Sequence, residues 1–405
     1  MQTRLPDALM LTEPGRAADR ILRTCVHCGF CNATCPTYQL LGDELDGPRG
    51  RIYQIKEMLE GAPVSRHTVT HLDRCLTCRA CETTCPSGVQ YGRLLDIGRA
   101  VLTERGLRPW YQQIQHWGLR RILLPPARFA TLLRVGQALR RWLPGTLRAR
   151  IPQRTPMAAW PTRQHRRRVL FPAGCVQPAA APGIDAAAAR VLDGLGIQTI
   201  RAGGGCCGAL SHHLGAMEEA RVHMRRNIDV WWPYLEAGVE AVVSTASGCG
   251  VQIKDYGELL RDDPAYAHRA AQVAAAAQDI GELLAAEDPA RLRRAADAPR
   301  RIAFHAPCTL QHGHRLTGVV EGLLAGLGFE LTPVSEPHLC CGSAGAYSVL
   351  QPALAGALRE RKLGHLLNGA PELIATANIG CLLHLAATAP APVRHWVELL
   401  DSGSG

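Results

Sequence analysis

The sequence predicts a helical N-terminal domain followed by two duplicated α/β domains with parallel strands. Two short cysteine runs, beginning at Cys25 and Cys75, repeat at a spacing of 50 residues among helical stretches. Further along, four cysteine positions recur in a second copy at a nearly constant offset. Within each copy, short β-branched or apolar runs alternate with helical stretches, the pattern of a parallel sheet covered by helices.

The chain has 405 residues, with 45 Lys and Arg against 35 Asp and Glu, a net charge of +10, 47% hydrophobic residues and 16 Cys. That length allows two or three domains, each able to bury a core. The balance of apolar and charged residues excludes the disordered and fibrous classes. No apolar run approaches the roughly 18 residues that span a bilayer, so an integral membrane protein is not expected. The opening MQTRLPDALMLTEPG puts charges and prolines where a signal peptide needs an apolar stretch, so a cytoplasmic protein is expected. In that reducing compartment the cysteines are expected as metal ligands and not as disulfides.

Residues 1–104 form the first expected domain. Residues 1–22 lead into a helix, and ELDGPRGRIYQIKEMLEGAP (44–63) reads as another, entered through Gly-Pro and left through Gly-Ala-Pro. Beside them lie Cys25, Cys28, Cys31 and Cys35 followed by Pro36, then Cys75, Cys78, Cys81 and Cys85 followed by Pro86. Each run reads C-x2-C-x2-C-x3-C-P, the bacterial ferredoxin spacing, in which three thiolates take three corners of a cubane and the fourth Cys reaches the partner cluster. The expected ligand sets are therefore Cys25, Cys28, Cys31 and Cys85 for one [4Fe–4S] cluster, and Cys75, Cys78, Cys81 and Cys35 for the other. Zinc also accepts four thiolates, but it takes them from two CxxC hooks, not from three close Cys with a fourth and a Pro.

Residues 105–168 read as a basic amphipathic linker. They carry fifteen Arg and no Asp, Glu or Lys, so the rest of the chain is net −5 and the basic excess is local. The segment also holds Trp110, Tyr111, Trp117, Trp142 and Trp160. ARFATLLRVGQALRRWL (127–143) places Phe129, Leu132, Leu133, Val135, Leu139 and Leu143 mostly on one helical face, with Arg on the other. A basic helix with interfacial Trp suits an anionic membrane surface. Docking on an acidic partner subunit, or a solvated linker, fits the same charge. Nucleic acid is not expected, because no nucleic-acid fold motif accompanies the charge.

The other eight cysteines form the repeat. Cys175, Cys206, Cys207 and Cys249 recur as Cys308, Cys340, Cys341 and Cys381, at offsets of 133, 134, 134 and 132 residues, as a duplication produces. VLFPAGC (169–175) matches IAFHAPC (302–308), and AVVSTASGC (241–249) matches LIATANIGC (373–381); each reads as a buried strand ending at its cysteine. IDAAAARVLDGLGI (184–197) and LTGVVEGLLAGLGF (316–329) read as helices between them. Sites in such sheets form beyond the carboxyl ends of the strands, where these cysteines would converge. The expected domains are 169–264 and 301–405, joined by an Ala-rich connector, 265–300, read as helices. Metal ligation by the paired cysteines is expected, with an iron–sulfur cluster or zinc as the alternatives. His212, His213, His305, His312, His314 and His338 lie near these sites, but no spacing among them marks a catalytic or zinc set.

Two ferredoxin motifs followed by two CCG (cysteine-rich) domains resemble the iron–sulfur subunits of glycolate oxidase, also called glycolate dehydrogenase. The resemblance rests on TCVHCGFCNATCPTYQLLGDELDGPRGRIYQIKEMLEG (24–61), HLDRCLTCRACETTCPSGVQYGRLLDIGR (71–99) and both CCG blocks, and covers almost the whole chain. The small subunit of anaerobic glycerol-3-phosphate dehydrogenase, lactate-utilisation proteins and heterodisulfide reductase subunits share the architecture. The resemblance implies electron transfer from an FAD-binding partner that oxidises glycolate to glyoxylate, with electrons passing to quinone or another acceptor at the inner membrane. It also implies a peripheral position on the cytoplasmic face. One departure stands out. The wider CCG family ends each site in CxxC, whereas here Gln252 follows Cys249 and His384 follows Cys381 at that spacing. Each site thus offers four cysteines, with His384 a candidate extra ligand in the second.

A cubane passes one electron at a time, while oxidising a 2-hydroxy acid removes two together and calls for a flavin or nicotinamide. The chain has no Walker loop and no GxSxG elbow, and the glycines at 203–205 precede the Cys206-Cys207 pair and not a nucleotide-binding helix. It is therefore expected as a relay within a dehydrogenase and not as the subunit that binds the hydroxy acid. The alternatives are a catalytic subunit of the heterodisulfide reductase or quinone-reducing kind, acting through the CCG sites, and a zinc-structured scaffold in which only the ferredoxin pair is redox-active.

Overall fold

The computed structural model describes residues 1–155 and 159–402. The N-terminal region is helical. Glu13–Thr24 starts where the Thr12 side chain accepts a hydrogen bond from the Gly15 amide, and it buries Ala17, Ala18, Ile21 and Leu22. Pro48–Leu59 opens on a proline, whose missing N–H costs nothing at a helix start, and buries Ile52, Ile55, Met58 and Leu59. Both pack on Tyr91–Glu104, with Leu94, Leu95 and Leu102 completing one apolar core. The two cysteine runs repeat their backbone as well as their spacing. His27 and Thr77 both take positive φ, as do Gly29 and Arg79, and a short helical turn then leads to Cys35 or Cys85.

Two four-stranded sheets follow. The first is built from β1 (Arg167–Pro172), β2 (Ile197–Ala202), β3 (Ala241–Ser244) and β4 (Ala277–Asp279), in the order β2-β1-β3-β4. The second, from β5 (Arg301–His305), β6 (Glu330–Leu331), β7 (Leu373–Thr376) and β8 (Val393–His395), has the order β6-β5-β7-β8. All pairings are parallel, and the duplicated topology matches the duplicated cysteines. Successive side chains of a strand point to opposite faces. Val169 and Phe171 accordingly share one core with Ile302 and Phe304 of the other sheet, while Leu170 faces Met224, Ile228 and Trp231 on the far side. The two repeats thus close on a common apolar core. His395 Nε2 lies 2.8 Å from the Thr245 carbonyl across this junction.

Two local expectations change. The connector is not helical throughout: Ala267–Ala276 is a helix, but Ala277–Asp279 is β4, paired with β3 through Val242 and Ala277. Burial of Ala277 and Asp279 in the sheet overrides the helix preference of the alanine run. Cys249 and Cys381 do not end their strands. They lie in the first turns of Ser247–Lys254 and Ile379–Ala386, the helices that follow.

The basic segment forms helices Trp110–Leu123 and Pro126–Leu139. Trp110, Trp117, Leu132, Val135, Leu139 and Trp142 are exposed, and no residue of Pro126–Leu139 is buried. Among the described residues, no helix is long and apolar enough to cross a membrane.

Candidate iron–sulfur and cysteine-rich sites

Cys25, Cys28, Cys31 and Cys85 line one cavity, together with Val26, His27 and Tyr91. Cys35, Cys75 and Cys78 line a second, with Arg51 and Leu76; Cys81 borders both. The fourth cysteine of each run therefore lies with the first three of the other. The first cavity reaches the surface, where Cys28 is exposed and Phe30 is 62% exposed. The second is internal, with Cys35, Cys75 and Cys81 buried.

The donor set fits iron–sulfur clusters. Burial, reinforced by Cys25, pushes the Cys31 thiol up to about 11. Burial raises Cys78 and Cys81 further. Such thiols ionise when a metal replaces their protons, so the sites are poised for ligation and not for free thiolate chemistry. Backbone amides already point at sulfur: Thr77 N lies 3.4 Å from Cys75 Sγ, and Val89 N lies 3.5 Å from Cys85 Sγ. Behind the second cavity, Asp46 Oδ1 accepts from Arg51 Nη2 at 3.1 Å and Oδ2 from Arg74 Nη1 at 2.9 Å. Arg51 also donates to the His71 carbonyl at 2.7 Å and to Thr37 Oγ1 at 3.1 Å, which fixes a buried cation beside Cys35 and Cys75.

In the first repeat, Cys175 lies against Cys206, and Cys207 against Cys249. Hydrogen bonds from Cys175 and Cys207 favour Cys206 as the thiolate. Three side chains clamp the paired-cysteine loop: Asn227 Nδ2 donates to the Cys206 carbonyl at 2.9 Å, Tyr256 to the Cys207 carbonyl at 2.8 Å and Trp231 Nε1 to the Gly203 carbonyl at 3.2 Å. Gly208 and Gly342, which follow the cysteine pairs, have φ of +90° and +89°, and a Cβ on Gly342 would come within 2.7 Å of the Ala355 carbonyl. Their amides lie 3.4 Å from Cys206 Sγ and Cys340 Sγ respectively.

The second repeat brings Cys308 Sγ and Cys340 Sγ to 3.8 Å, and sets Cys341 against Cys381. Cys340 and Leu76 share an apolar cluster with Tyr347, and Cys78 and Cys308 pack on its edge, so this site adjoins the second ferredoxin cavity. Buried Lys362 donates to the Glu336 carbonyl at 2.8 Å and stands near Cys341, Cys340 and Cys308, and burial pulls its amine below the usual lysine range.

The positions that lack the second cysteine of CxxC are already engaged. Gln252 Oε1 is 3.2 Å from His212 Nδ1, and His384 Nε2 is 3.2 Å from the Ala355 carbonyl. The histidine that joins the thiols is a different one: ligand atoms of His305, Cys341 and Cys381 lie within 4.8 Å of one another. Asp96, His212 and His213 form a second such group, where the helix Tyr91–Glu104 meets the first repeat. Histidine spacing conceals both groups because β-sheet pairing and helix docking assemble them. For His305 the local signal is its place three residues before Cys308, at the end of an apolar run.

A family model described as a 4Fe-4S dicluster domain matches residues 21–89. A second, described as a cysteine-rich domain, matches residues 169–254 and 302–386. The chain is 52% identical over 403 residues to the glycolate oxidase iron-sulfur subunit of Escherichia coli K12, covering 99% of this chain and 98% of that protein. It is 29% identical over 394 residues to the probable glycolate oxidase iron-sulfur subunit of Bacillus subtilis 168, covering 90% of this chain and 88% of that protein. Lactate utilization protein A of Bacillus licheniformis is 28% identical over 210 residues, 49% of this chain and 83% of that protein. Full-length identity and paired four-cysteine cavities agree, and the chain belongs to the family of glycolate oxidase iron–sulfur subunits.

Proposed function

We propose that this chain is the electron-relay subunit of a flavin-dependent complex that oxidises glycolate to glyoxylate. Cys25, Cys28, Cys31 and Cys85 would hold one [4Fe–4S] cluster, and Cys75, Cys78, Cys81 and Cys35 the other. The two cysteine-rich sites would carry further clusters. When bound, such clusters accept and release electrons singly, so removal of two electrons from the hydroxy acid belongs to FAD in a partner subunit.

The observation that carries this reading is the sequence of sites. One four-thiol cavity opens to the surface at Cys28, the next is internal, and the internal one adjoins Cys308 and Cys340. Electrons from the partner would enter at the Cys28 rim and leave towards quinone or another membrane acceptor. The exposed Arg- and Trp-bearing helices between residues 105 and 143 supply a surface for an anionic membrane on the cytoplasmic side. The heterodisulfide reductase alternative is disfavoured, because Gln252 and His384 stand where its fifth cysteines would be.

Anaerobic purification of the complex, followed by glycolate addition, tests the relay. The expected result is reduction of cluster signals in this chain, and full flavin reduction with silent clusters would overturn it. Within the same experiment, Cys85→Ser should abolish the signal of the Cys25 cluster and spare that of the Cys75 cluster. The reverse loss would disprove the crossed ligand sets.

A further inference from the structure

The two repeats share a topology but not a donor set. In the second, His305 ends β5 and is buried. Its Nδ1 lies 2.9 Å from Thr376 Oγ1 on the neighbouring strand β7, where the sheet register pairs the two residues directly. Its Nε2 is buried and has no hydrogen-bond partner. A buried polar atom left unpaired is costly and calls for a ligand, an ion or a water. The group that this ring meets is thiol sulfur, since a ring nitrogen lies within 4.8 Å of the ligand atoms of both Cys341 and Cys381. One ring nitrogen held by a hydrogen-bonding oxygen and the other left free is the arrangement found in metal-bound histidines, whose second nitrogen is fixed by such a partner.

The first repeat has no counterpart. The matching strands VLFPAGC and IAFHAPC align Pro172 with His305, and proline offers no donor atom there. Lys362 adds a second asymmetry, a buried amine beside three of the four second-repeat cysteines.

We propose that His305 is a metal ligand through Nε2, taking the place of one thiolate among Cys308, Cys340, Cys341 and Cys381, so that the second cysteine-rich centre is chemically distinct from the all-thiolate first. The inference rests on the second repeat holding metal, as the proposed function has it. Imidazole suits iron and zinc alike, and in iron–sulfur centres histidine in place of thiolate raises the reduction potential. The centre that adjoins the internal ferredoxin cavity would therefore be the better electron acceptor of the two repeats.

The test uses the full chain purified without oxygen, with natural and with 15N-labelled histidine. Pulsed electron paramagnetic resonance of the reduced protein should show a strongly coupled nitrogen that changes with the label. If the site holds zinc, X-ray absorption at the zinc edge should show a nitrogen beside sulfur. His305→Gln should remove that nitrogen and the metal of one site only, about four iron for a cubane or about one zinc. His305→Cys should retain the metal with an altered spectrum, and His384→Gln should change neither. A full metal complement with no histidine nitrogen overturns the assignment, and that reading comes from the unmodified protein, whatever the variants do. A count of about eight iron and no zinc in the unmodified chain would instead show both repeats to be metal-free, which refutes the reading beneath it.

Discussion

Replacing Asp46 with Asn tests whether the buried charges behind the internal cavity hold it together. The Asp46 and Arg51 side chains are 0% and 1% exposed and 3.1 Å apart. At an effective dielectric constant of about 20, a pair at that distance attracts by about 5 kcal/mol. Arg74, 2.9 Å away on the other oxygen, is 32% exposed, so its contribution is at most about 1 kcal/mol. Asn keeps one acceptor oxygen but leaves the Arg51 guanidinium buried without its counter-charge. The expected loss is about 3–5 kcal/mol, the cost of breaking a buried pair from one side. Urea unfolding of the anaerobic protein measures it. Asp46→Asn combined with Arg51→Met removes both charges and should cost less than the sum of the single changes by about 2 kcal/mol or more. Because Arg51 lines the cavity with Cys35, Cys75 and Cys78, the cluster signal from those cysteines should weaken before that from the Cys25 set. A loss under about 1 kcal/mol, or an additive cycle, would refute the reasoning.

Two further outcomes are expected. Burial pushes the Asp279 carboxyl up from 3.8 to about 7, so the folded chain keeps a proton that the unfolded chain has lost. Its contribution therefore falls as pH rises from about 4 to about 7, by about 4 kcal/mol in all, and Asp279→Asn should be the more stable protein at pH 8 and lose the advantage near pH 4. Parallel unfolding curves at both ends of that range check this; an equal difference at the two ends would contradict it. Changing Arg134, Arg140 and Arg141 to Gln removes three charges beside the exposed apolar side chains of the linker helices. At about 1 kcal/mol each, binding of the complex to phosphatidylserine vesicles should weaken about 100-fold, and unchanged sedimentation with vesicles would assign this face to a partner subunit.

What could be read from the residues depended on whether the signal was local. Three cysteines in seven positions specify their own neighbourhood, so the two runs were legible, and the constant offset of Cys175 and Cys308 disclosed the duplicated sheets. The strand Ala277–Asp279 was concealed because three residues after an alanine run carry no period of their own; only pairing with β3 makes them a strand. His305 was hidden for the same reason. Its partners Cys341 and Cys381 come from a loop and a helix far along the chain, and parallel pairing of β5 with β7 brings it to them. The polar clamps Asn227, Tyr256 and Lys362 are likewise invisible to spacing, since each acts on a loop more than twenty residues away.

The common core under the two sheets ties the halves of the duplication to one fate. Ile280 and Trp396 are enclosed by apolar side chains from both copies, so neither copy can be excised without laying that lining bare to water. Duplicated modules commonly drift apart by separating. Here the opposite holds: the two copies are joined through that shared core, and their sequences have diverged without parting them.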